Sequence, residues 1–274
     1  MALHAGEGVG VPQDWGTALD LLTRSAELGL PLAQASLAAL AGDWPLAHDL
    51  LARNATESAD WQHMRRVIDL PAWFAVPKMG VVSASPRIAI VEDFASSDIC
   101  AWLIERARPR LTQAKVFDLV SGAPAHEDVR DNRAYHFGTD ESDLIMQFLR
   151  HRIATVTELF VAGMEAPAVL HYRVGERFLP HYDFLDESHP GHAREISTSG
   201  QRVVTFLVSL NDDYEGGETQ FPILGKRYRG RKGNALFFWN VEPDGSPDRR
   251  VLHAGLPPTH GEKWMLSQWI RGRL

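Results

Sequence analysis

The pattern of hydrophobic and polar positions divides the chain into a helical first part and a longer, β-rich second part. In about the first 70 residues, Ala and Leu recur at helical spacing. Gly29 ends the first clear helix, and Pro31 stands near the start of the next. The pattern predicts helices at 17–28, 31–41, 45–53 and 59–70. We expect these helices to dock on the rest of the chain, because isolated helical repeats are only marginally stable.

The segment 71–86 is rich in Pro, Gly and Ser and predicts a linker. Beyond it, short β-prone runs alternate with turn residues, which favours a sandwich or barrel with two helices covering one outer face. The pattern predicts helices from Ser96 or Ser97 to Arg108 and over 141–160, the latter capped by Thr139 or Asp140. It predicts strands at 87–94, 115–120, 133–137, 168–174, 177–184, 202–210, 217–221, 233–239, 250–254 and 263–270. The domains expected are therefore a helical segment (1–70), a linker (71–86) and a β-rich domain (87–274).

Composition narrows the class of protein. The chain of 274 residues has 45% hydrophobic and 23% charged residues, which is typical of a globular protein. Its formal net charge of -7 argues against a nucleic-acid partner. No apolar run reaches membrane-spanning length, and no signal peptide is visible at the start. With a single cysteine, Cys100, the fold needs no oxidising compartment, so we expect a cytoplasmic protein without a membrane partner.

Four polar residues of the second part suggest a metal site. His181 and Asp183 are two apart on a predicted strand, where such residues point to the same side. His253 lies on another predicted strand. Two imidazoles and one carboxylate leave coordination positions open, which suits Fe(II) and oxygen chemistry, whereas a closed structural site uses four ligands. We therefore predict a mononuclear iron site, with Lys263 as an anchor for an acidic co-substrate.

Several motifs surround these residues in a set order. They are Tyr172-x-x-Gly175, His181-Tyr-Asp183, Gln201-Arg-Val-Val-Thr205, Gly216-Gly-Glu-Thr219, Gly233-Asn-Ala-Leu-Phe237, His253-Ala-Gly and Gly261-Glu-Lys-Trp264. With these motifs, residues 86–274 resemble the prolyl 4-hydroxylase branch of the Fe(II)/2-oxoglutarate-dependent dioxygenases. The resemblance implies an α+β protein: a double-stranded β-helix (jelly-roll) core with flanking helices, preceded here by a small all-α helical-repeat segment.

The resemblance also implies a set of ligands and roles. The cofactors and co-substrates are Fe(II), 2-oxoglutarate and O2, with ascorbate as a further candidate reductant. The implied iron ligands are His181, Asp183 and His253. The residues implied for binding the distal carboxylate of 2-oxoglutarate are Lys263, Tyr172 and Thr205. Tyr172 and Thr205 also have a purely structural interpretation, as a core aromatic and a β-branched strand residue.

Five further residues are candidate substrate contacts. Arg130, Asn132 and Tyr135 occupy the region where relatives contact substrate. We also expect the segment from 115 to 133 to be a loop that closes over the substrate. Arg194 lies in the segment after the metal residues, and Trp269 shares strand parity with Lys263. Each has an equally good structural interpretation, as an ordinary surface residue or, for Trp269, as core.

The resemblance implies hydroxylation of a C–H bond, in the first place of a prolyl residue in a peptide or protein, with release of succinate and CO2. A free amino acid or specialised metabolite is the alternative substrate. A non-catalytic, protein-binding scaffold is the alternative from another class. Residues 6–34, from Gly6 through Ala26-Glu-Leu-Gly29 to Gln34, resemble a Sel1-like repeat. The helical segment therefore either binds a protein partner or braces the barrel.

Overall fold

The computed structural model describes residues 1–53, 58–114, 116–117, 124–125, 130–138 and 141–272. The chain divides into two compact units. One comprises Met1–Val76 with Gly138–Ile153, and the other Pro77–Phe137 with Ala154–Leu274. The helices are α1 (Ala2–Glu7), α2 (Trp15–Glu27), α3 (Pro31–Leu40), α4 (Trp44–Arg53), α5 (Trp61–Val67), α6 (Leu70–Phe74), α7 (Ser97–Ala107), α8 (Leu144–Thr157) and α9 (Pro190–Ser199). No helix in the described part of the chain is both long and apolar enough to cross a membrane.

Side-chain caps set where several helices begin. Asp14 accepts hydrogen bonds from two backbone N–H groups in the first turn of α2, at 2.8 and 3.2 Å. Ser96 caps α7 in the same way, as the sequence predicted. Helix α8 begins after Asp143, whose carboxylate accepts a backbone N–H at 2.8 Å. The predicted caps Thr139 and Asp140 lie outside the described residues.

The helical unit is built around a cluster of aromatic side chains. The ring of Phe148, on α8, lies 4.9 Å from Trp15, 5.6 Å from Trp73 and 5.0 Å from Phe74, measured between centroids. Phe148 is fully buried. Aromatic rings bury large apolar areas and gain further from such tilted contacts. The first part of α8 therefore belongs to the N-terminal helices, although a long stretch of sequence separates them.

We expect Phe148→Ala to destabilise the helical unit by about 3–5 kcal/mol, because it removes a buried ring from the centre of this cluster. Amide hydrogen exchange over residues 1–76 and 138–153 measures the loss. The matched control is Phe160→Ala, since Phe160 is 84% exposed. Equal protection in the two variants would show that the cluster does not hold the unit together.

The second unit contains two main antiparallel sheets. The strands are β1 (Met79–Ala84), β2 (Arg87–Val91), β3 (Thr112–Gln113), β4 (Val116–Phe117), β5 (Pro124–Ala125), β6 (Arg133–His136), β7 (Ala168–Tyr172), β8 (Phe178–His181), β9 (Gln201–Ser209), β10 (Glu215–Gly216), β11 (Thr219–Phe221), β12 (Lys226–Tyr228), β13 (Ala235–Trp239), β14 (His253–Gly255), β15 (Pro258–His260) and β16 (Lys263–Gly272). The eight-stranded sheet has the order β1-β2-β13-β9-β16-β7-β6-β3, and the four-stranded sheet β12-β11-β14-β8. Residues of both sheets line one cavity, as expected for the α+β jelly roll.

The segment 71–86 is not the linker that its composition predicted. It contains most of α6 and all of β1, which pairs with β2. Pro71 fits the first turn of α6, where a missing N–H costs nothing, and Asp69 caps that helix. Prolines at the start of a helix resemble linker prolines when only composition is considered.

Two elements have no clear hydrophobic pattern in the sequence. Helix α9 begins at Pro190, and the polar residues after the proline hide its helical character. Lys226–Tyr228, in a basic stretch of the sequence, forms an edge strand on β11. Charged side chains are common on edge strands, where they oppose aggregation. Most of the predicted mobile loop, 115–133, lies outside the described residues.

Candidate metal centre and its cavity

Three side chains, two from adjacent strands and one from the bend after β8, meet at one point. His181 and His253 face each other across the β8–β14 pair, with ring centroids 4.3 Å apart. Asp183 places Oδ1 3.6 Å from His181 Nε2 and Oδ2 3.3 Å from His253 Nε2. Within the described ranges, these residues form the one cluster whose ligand atoms all lie within 4.8 Å of one another. Neighbouring ligands of a metal bound at about 2 Å are roughly 3 Å apart, so the arrangement fits one ion.

Asp183 reaches this point by a different route from the one the sequence suggested. Strand β8 ends at His181, and Asp183 lies in the bend that follows. Strand alternation therefore does not place the carboxylate. The bend turns Asp183 back, and the hydroxyl of Thr205 on β9 donates to its Oδ2 at 2.6 Å.

Backbone carbonyls orient both imidazoles. His181 Nδ1 lies 2.8 Å from the carbonyl oxygen of Leu179, and His253 Nδ1 lies 3.1 Å from that of Val251. A carbonyl only accepts, so Nδ1 carries the proton in each ring. The Nε2 lone pairs then face Asp183. Hydrogen bonds of this kind fix the tautomer that binds a metal.

Two of the donor groups, His181 and Asp183, have lowered pKa values. Burial, followed by the neighbouring His253, lowers the pKa of His181 to about 3. Burial opposes ionisation of Asp183, but the nearby imidazoles and the Thr205 hydroxyl outweigh it and hold the pKa of that carboxyl well below its usual range. Metal ligands must be deprotonated, so the donor set fits a divalent cation.

A cavity of about 130 Å³ adjoins the three residues. Alternate residues of β16 face it, as strand alternation requires. The cavity-facing residues of this strand are Lys263, Met265, Ser267 and Trp269. Residues from β7, β9 and β14 complete the wall, so the cavity lies between the two sheets.

Lys263 is a buried cation in this cavity. It lies opposite Tyr172 on β7, and its Nζ is 5.2 Å from the centroid of that ring. Only 3% of Lys263 is exposed, and burial lowers its pKa to about 8. The charge of Glu218 opposes this lowering of the pKa, but no carboxylate among the described residues forms an ion pair with Lys263. A buried charge without a partner is costly, so this ammonium is suited to an anionic ligand.

Two threonines, Thr205 and Thr219, line the cavity. Thr205 was expected to bind the co-substrate carboxylate, but its hydroxyl hydrogen is committed to Asp183. Thr219 is the threonine that lines the cavity without that commitment, and sequence reasoning missed it. The signal was its motif: Gly216 and Gly217, both with positive φ, make the turn that starts β11.

The candidate substrate residues separate into two groups. Arg130 and Trp269 line the cavity, whereas Asn132, Tyr135 and Arg194 do not. Asn132 is fully buried and accepts a hydrogen bond from Arg130 Nε at 2.6 Å, so it supports that arginine. Arg194 is an exposed residue of α9.

The alternation of side chains along a strand explains why Tyr135 does not line the cavity. On β6 the next residue, His136, faces the cavity, and Tyr135 packs against Phe137 with centroids 4.8 Å apart. Successive residues of a strand point to opposite faces.

Glu165 is a second cavity residue that sequence reasoning missed. Its carboxylate accepts a hydrogen bond from Arg202 Nε at 2.6 Å, and the guanidinium of Arg202 lies 3.7 Å from the centroid of the Trp269 ring. The indole is thereby fixed at the cavity wall.

Together, the fold and the site define a class: jelly-roll enzymes with two histidines, one carboxylate and a buried cation. Residues 167–271 match the model of the 2OG-Fe(II) oxygenase superfamily. The chain is 35% identical to prolyl 4-hydroxylase 1 of Arabidopsis thaliana over 71% of its own length and 72% of that protein's. It is 33% identical to prolyl 4-hydroxylase 5 of the same plant, over 69% and 70% of the two lengths.

A solved structure agrees with these relatives. The crystal structure of a viral collagen prolyl hydroxylase from Paramecium Bursaria Chlorella virus-1, a complex with 2OG, superposes with a TM-score of 0.53 and 26% identity. The match covers 68% of this chain and 96% of that one. The chain therefore belongs to the prolyl 4-hydroxylase family of 2OG-Fe(II) oxygenases, which are Fe(II)- and 2-oxoglutarate-dependent dioxygenases using O2.

Proposed function

We propose that this dioxygenase hydroxylates a prolyl residue of a peptide or protein, with His181, Asp183 and His253 as its iron ligands. The observation that carries the assignment is the convergence of these three donors in one cavity, beside a buried lysine that has no ion-pair partner within the described ranges. The names of the curated relatives support proline as the target. Fe(II) bound there with 2-oxoglutarate and O2 supplies the chemistry that inserts one oxygen atom into a C–H bond, yielding succinate and CO2.

The protein's own contribution is to bind, orient and exclude water. Lys263 binds the distal carboxylate of 2-oxoglutarate by a charge-assisted hydrogen bond, and Tyr172 lies beside it as a buried hydroxyl. Burial raises the pKa of Tyr172, so the phenol stays protonated and can donate to the same carboxylate. Apolar walls from Leu170, Leu207 and Met265 keep water from this end of the cavity.

Two cavity residues are suited to hold the substrate. Arg130 is partly buried, and its guanidinium lies 4.6 Å over the ring of Phe178. We propose that it donates to a carbonyl of the substrate chain. Trp269 offers a flat apolar face, braced from behind by Arg202, against which a pyrrolidine ring can pack.

The decisive experiment is a turnover assay with anaerobically loaded Fe(II) that compares a proline-containing peptide with free L-proline. We expect a proline-containing peptide to stimulate succinate formation and to gain 16 Da by mass spectrometry, and free L-proline to do neither. Stimulation by free amino acids alone would favour the metabolite alternative. If the iron-loaded protein neither binds 2-oxoglutarate nor turns over any substrate, the scaffold alternative replaces the proposal.

Affinity for 2-oxoglutarate is expected to depend on pH through Lys263. Because its pKa in the free protein is about 8, the ammonium is ready for the carboxylate below pH 8. Above pH 8 binding must first take up a proton, so Kd should rise about tenfold per pH unit. Anaerobic calorimetry of the Fe(II)-loaded protein between pH 7 and 9.5 tests this. Lys263→Arg is the control, because its guanidinium does not titrate there; an equally steep rise in that variant would contradict the assignment.

Three finer points belong to the same proposal. Ascorbate is a candidate reductant, which a requirement for it during repeated turnover would test. The N-terminal helices, proposed as a Sel1-like segment of residues 1–70, either bind a protein partner or brace the dioxygenase domain of residues 87–274. A cytoplasmic location stays a prediction.

A further inference from the structure

We propose that Asn240 is a positioning residue for the metal-binding carboxylate and acts through Thr205. Asn240 Nδ2 donates to Thr205 Oγ1 at 3.0 Å, and that hydroxyl donates to Asp183 Oδ2 at 2.6 Å. The three side chains form a chain of hydrogen bonds that ends at the cluster. This inference rests on the proposed role of Asp183 as an iron ligand.

The chemistry of the groups fixes the direction of this chain. An ionised carboxylate can only accept hydrogen bonds, so the single hydrogen of Thr205 points to Asp183. The oxygen of Thr205 must then accept from its other partner, and only the nitrogen of the Asn240 amide can donate. A flipped amide would place two acceptors against each other. Bonds aligned in this way polarise one another in a low-dielectric interior.

Asn240 is held rigidly enough to act as an anchor. It is completely buried and directly follows β13, the strand that pairs with the Thr205 strand β9. Its backbone N–H donates to Val203 at 2.8 Å, and its carbonyl accepts from the N–H of Asp248 at 3.0 Å. Both backbone groups are thus fixed, and the amide group has little freedom to follow a moving partner.

Packing alone does not account for an amide at this position. In the described part of the chain, Asn240 Oδ1 has no hydrogen-bond partner although it is buried. A buried acceptor left without a partner costs free energy. An apolar side chain of the same size would avoid that cost, but it could not donate to Thr205.

The consequence for Asp183 is restraint of its carboxylate. With Oδ2 anchored by Thr205, rotation of the carboxylate is limited, and both oxygens stay within reach of the imidazole nitrogens. Loss of the anchor leaves the carboxylate free to turn away from the cluster. Partners that orient metal ligands typically change metal affinity by about 10- to 100-fold.

Titration of the protein with Co(II) tests this series of hydrogen bonds. Binding is followed by the visible absorption of Co(II), without 2-oxoglutarate and without turnover. We expect Thr205→Val to raise the Kd for Co(II) about 10- to 100-fold and to alter the Co(II) spectrum. Asn240→Leu should raise Kd by a smaller factor while leaving the melting temperature equal or higher, because it removes the unpaired Oδ1. The double variant should match Thr205→Val alone, since Asn240 acts only through that hydroxyl. Thr205→Ser should restore the wild-type Kd.

The matched control is Asn234→Leu. Asn234 directly precedes β13, the strand that Asn240 follows, but its Oδ1 accepts a hydrogen bond from the backbone N–H of Asp93 and not from the cluster. We expect its Co(II) spectrum to match that of the wild type. A wild-type Kd and spectrum in Asn240→Leu would overturn the inference while leaving the proposed iron site intact. Independent, multiplying effects of the two substitutions would also overturn it. Failure of the wild-type protein to bind Co(II) would instead overturn the proposed function, and the inference with it.

Discussion

Replacing Asp183 with alanine is expected to reduce the iron-dependent conversion of 2-oxoglutarate to succinate by at least about 100-fold. Even the outer partners of a metal ligand are worth 10- to 100-fold, so loss of a ligand should cost no less. Asp183 supplies the only carboxylate of the cluster and contacts both imidazoles. His181→Ala should have the same effect. The measurement is succinate formation with saturating Fe(II), 2-oxoglutarate and peptide.

A histidine from outside the cluster provides the control. His260 is an exposed residue of β15 and does not line the cavity, so His260→Ala should retain wild-type turnover. Iron content after gel filtration separates lost binding from lost chemistry. Near-normal turnover by Asp183→Ala with stoichiometric iron would show that the ligand set is wrong.

The sequence predicted the candidate iron ligands from the order and spacing of several motifs, because His-x-Asp alone is a weak signal. The structure brings His181, Asp183 and His253 to one point, as their residue types and spacing predicted. The reasoning behind Asp183 was nevertheless wrong, since a bend and not strand alternation places it. The spacing of motifs predicts which residues lie close together, but it does not predict the backbone conformation that brings them there.

The sequence did not show which of two similar or adjacent residues lines the cavity or contacts the cluster. Thr205 and Thr219 are both buried threonines near the cluster, and only the hydrogen bond to Asp183 separates their roles. Tyr135 and His136 differ by one position on a strand, which exchanges the faces they occupy. Asn240 carries no motif at all, because its role depends on a contact across the sheet.

Hydrophobic periodicity predicted a sandwich or barrel after a helical segment, and the family resemblance implied the jelly roll, but neither predicted the unit boundaries. Local patterns identify α8 as a helix, but nothing local indicates that Phe148 packs against Trp15 and Phe74 in the N-terminal unit. Such contacts join residues far apart in the chain. Periodicity predicts elements, and only tertiary packing decides how they are grouped.

Lys263→Met is expected to weaken 2-oxoglutarate binding and, at the same time, to stabilise the co-substrate-free protein. Removing one partner of a buried charge pair costs about 2–5 kcal/mol, so Kd should rise by about 30-fold or more. Without co-substrate the ammonium has no ion-pair partner among the described residues. An apolar side chain of similar size avoids the free-energy cost of burying this unpaired charge.

The size and sign of the stabilisation follow from the lowered pKa. A shift from 10.5 to about 8 corresponds to roughly 3 kcal/mol at most. The folded state binds fewer protons than the unfolded state between pH 8 and 10.5, so this penalty is full below pH 8 and disappears above pH 10.5. We therefore expect Lys263→Met to raise the free energy of unfolding by about 1–3 kcal/mol at pH 7, and by progressively less as pH rises toward 10.5.

Denaturant unfolding with and without 2-oxoglutarate measures both effects on one protein. Lys226→Met is the control, since Lys226 is exposed on edge strand β12 and should change neither stability nor Kd. Added 2-oxoglutarate should stabilise the wild type and the control but leave Lys263→Met nearly unaffected. A destabilised Lys263→Met that still binds 2-oxoglutarate with wild-type affinity would mean that this lysine serves the fold and not the co-substrate.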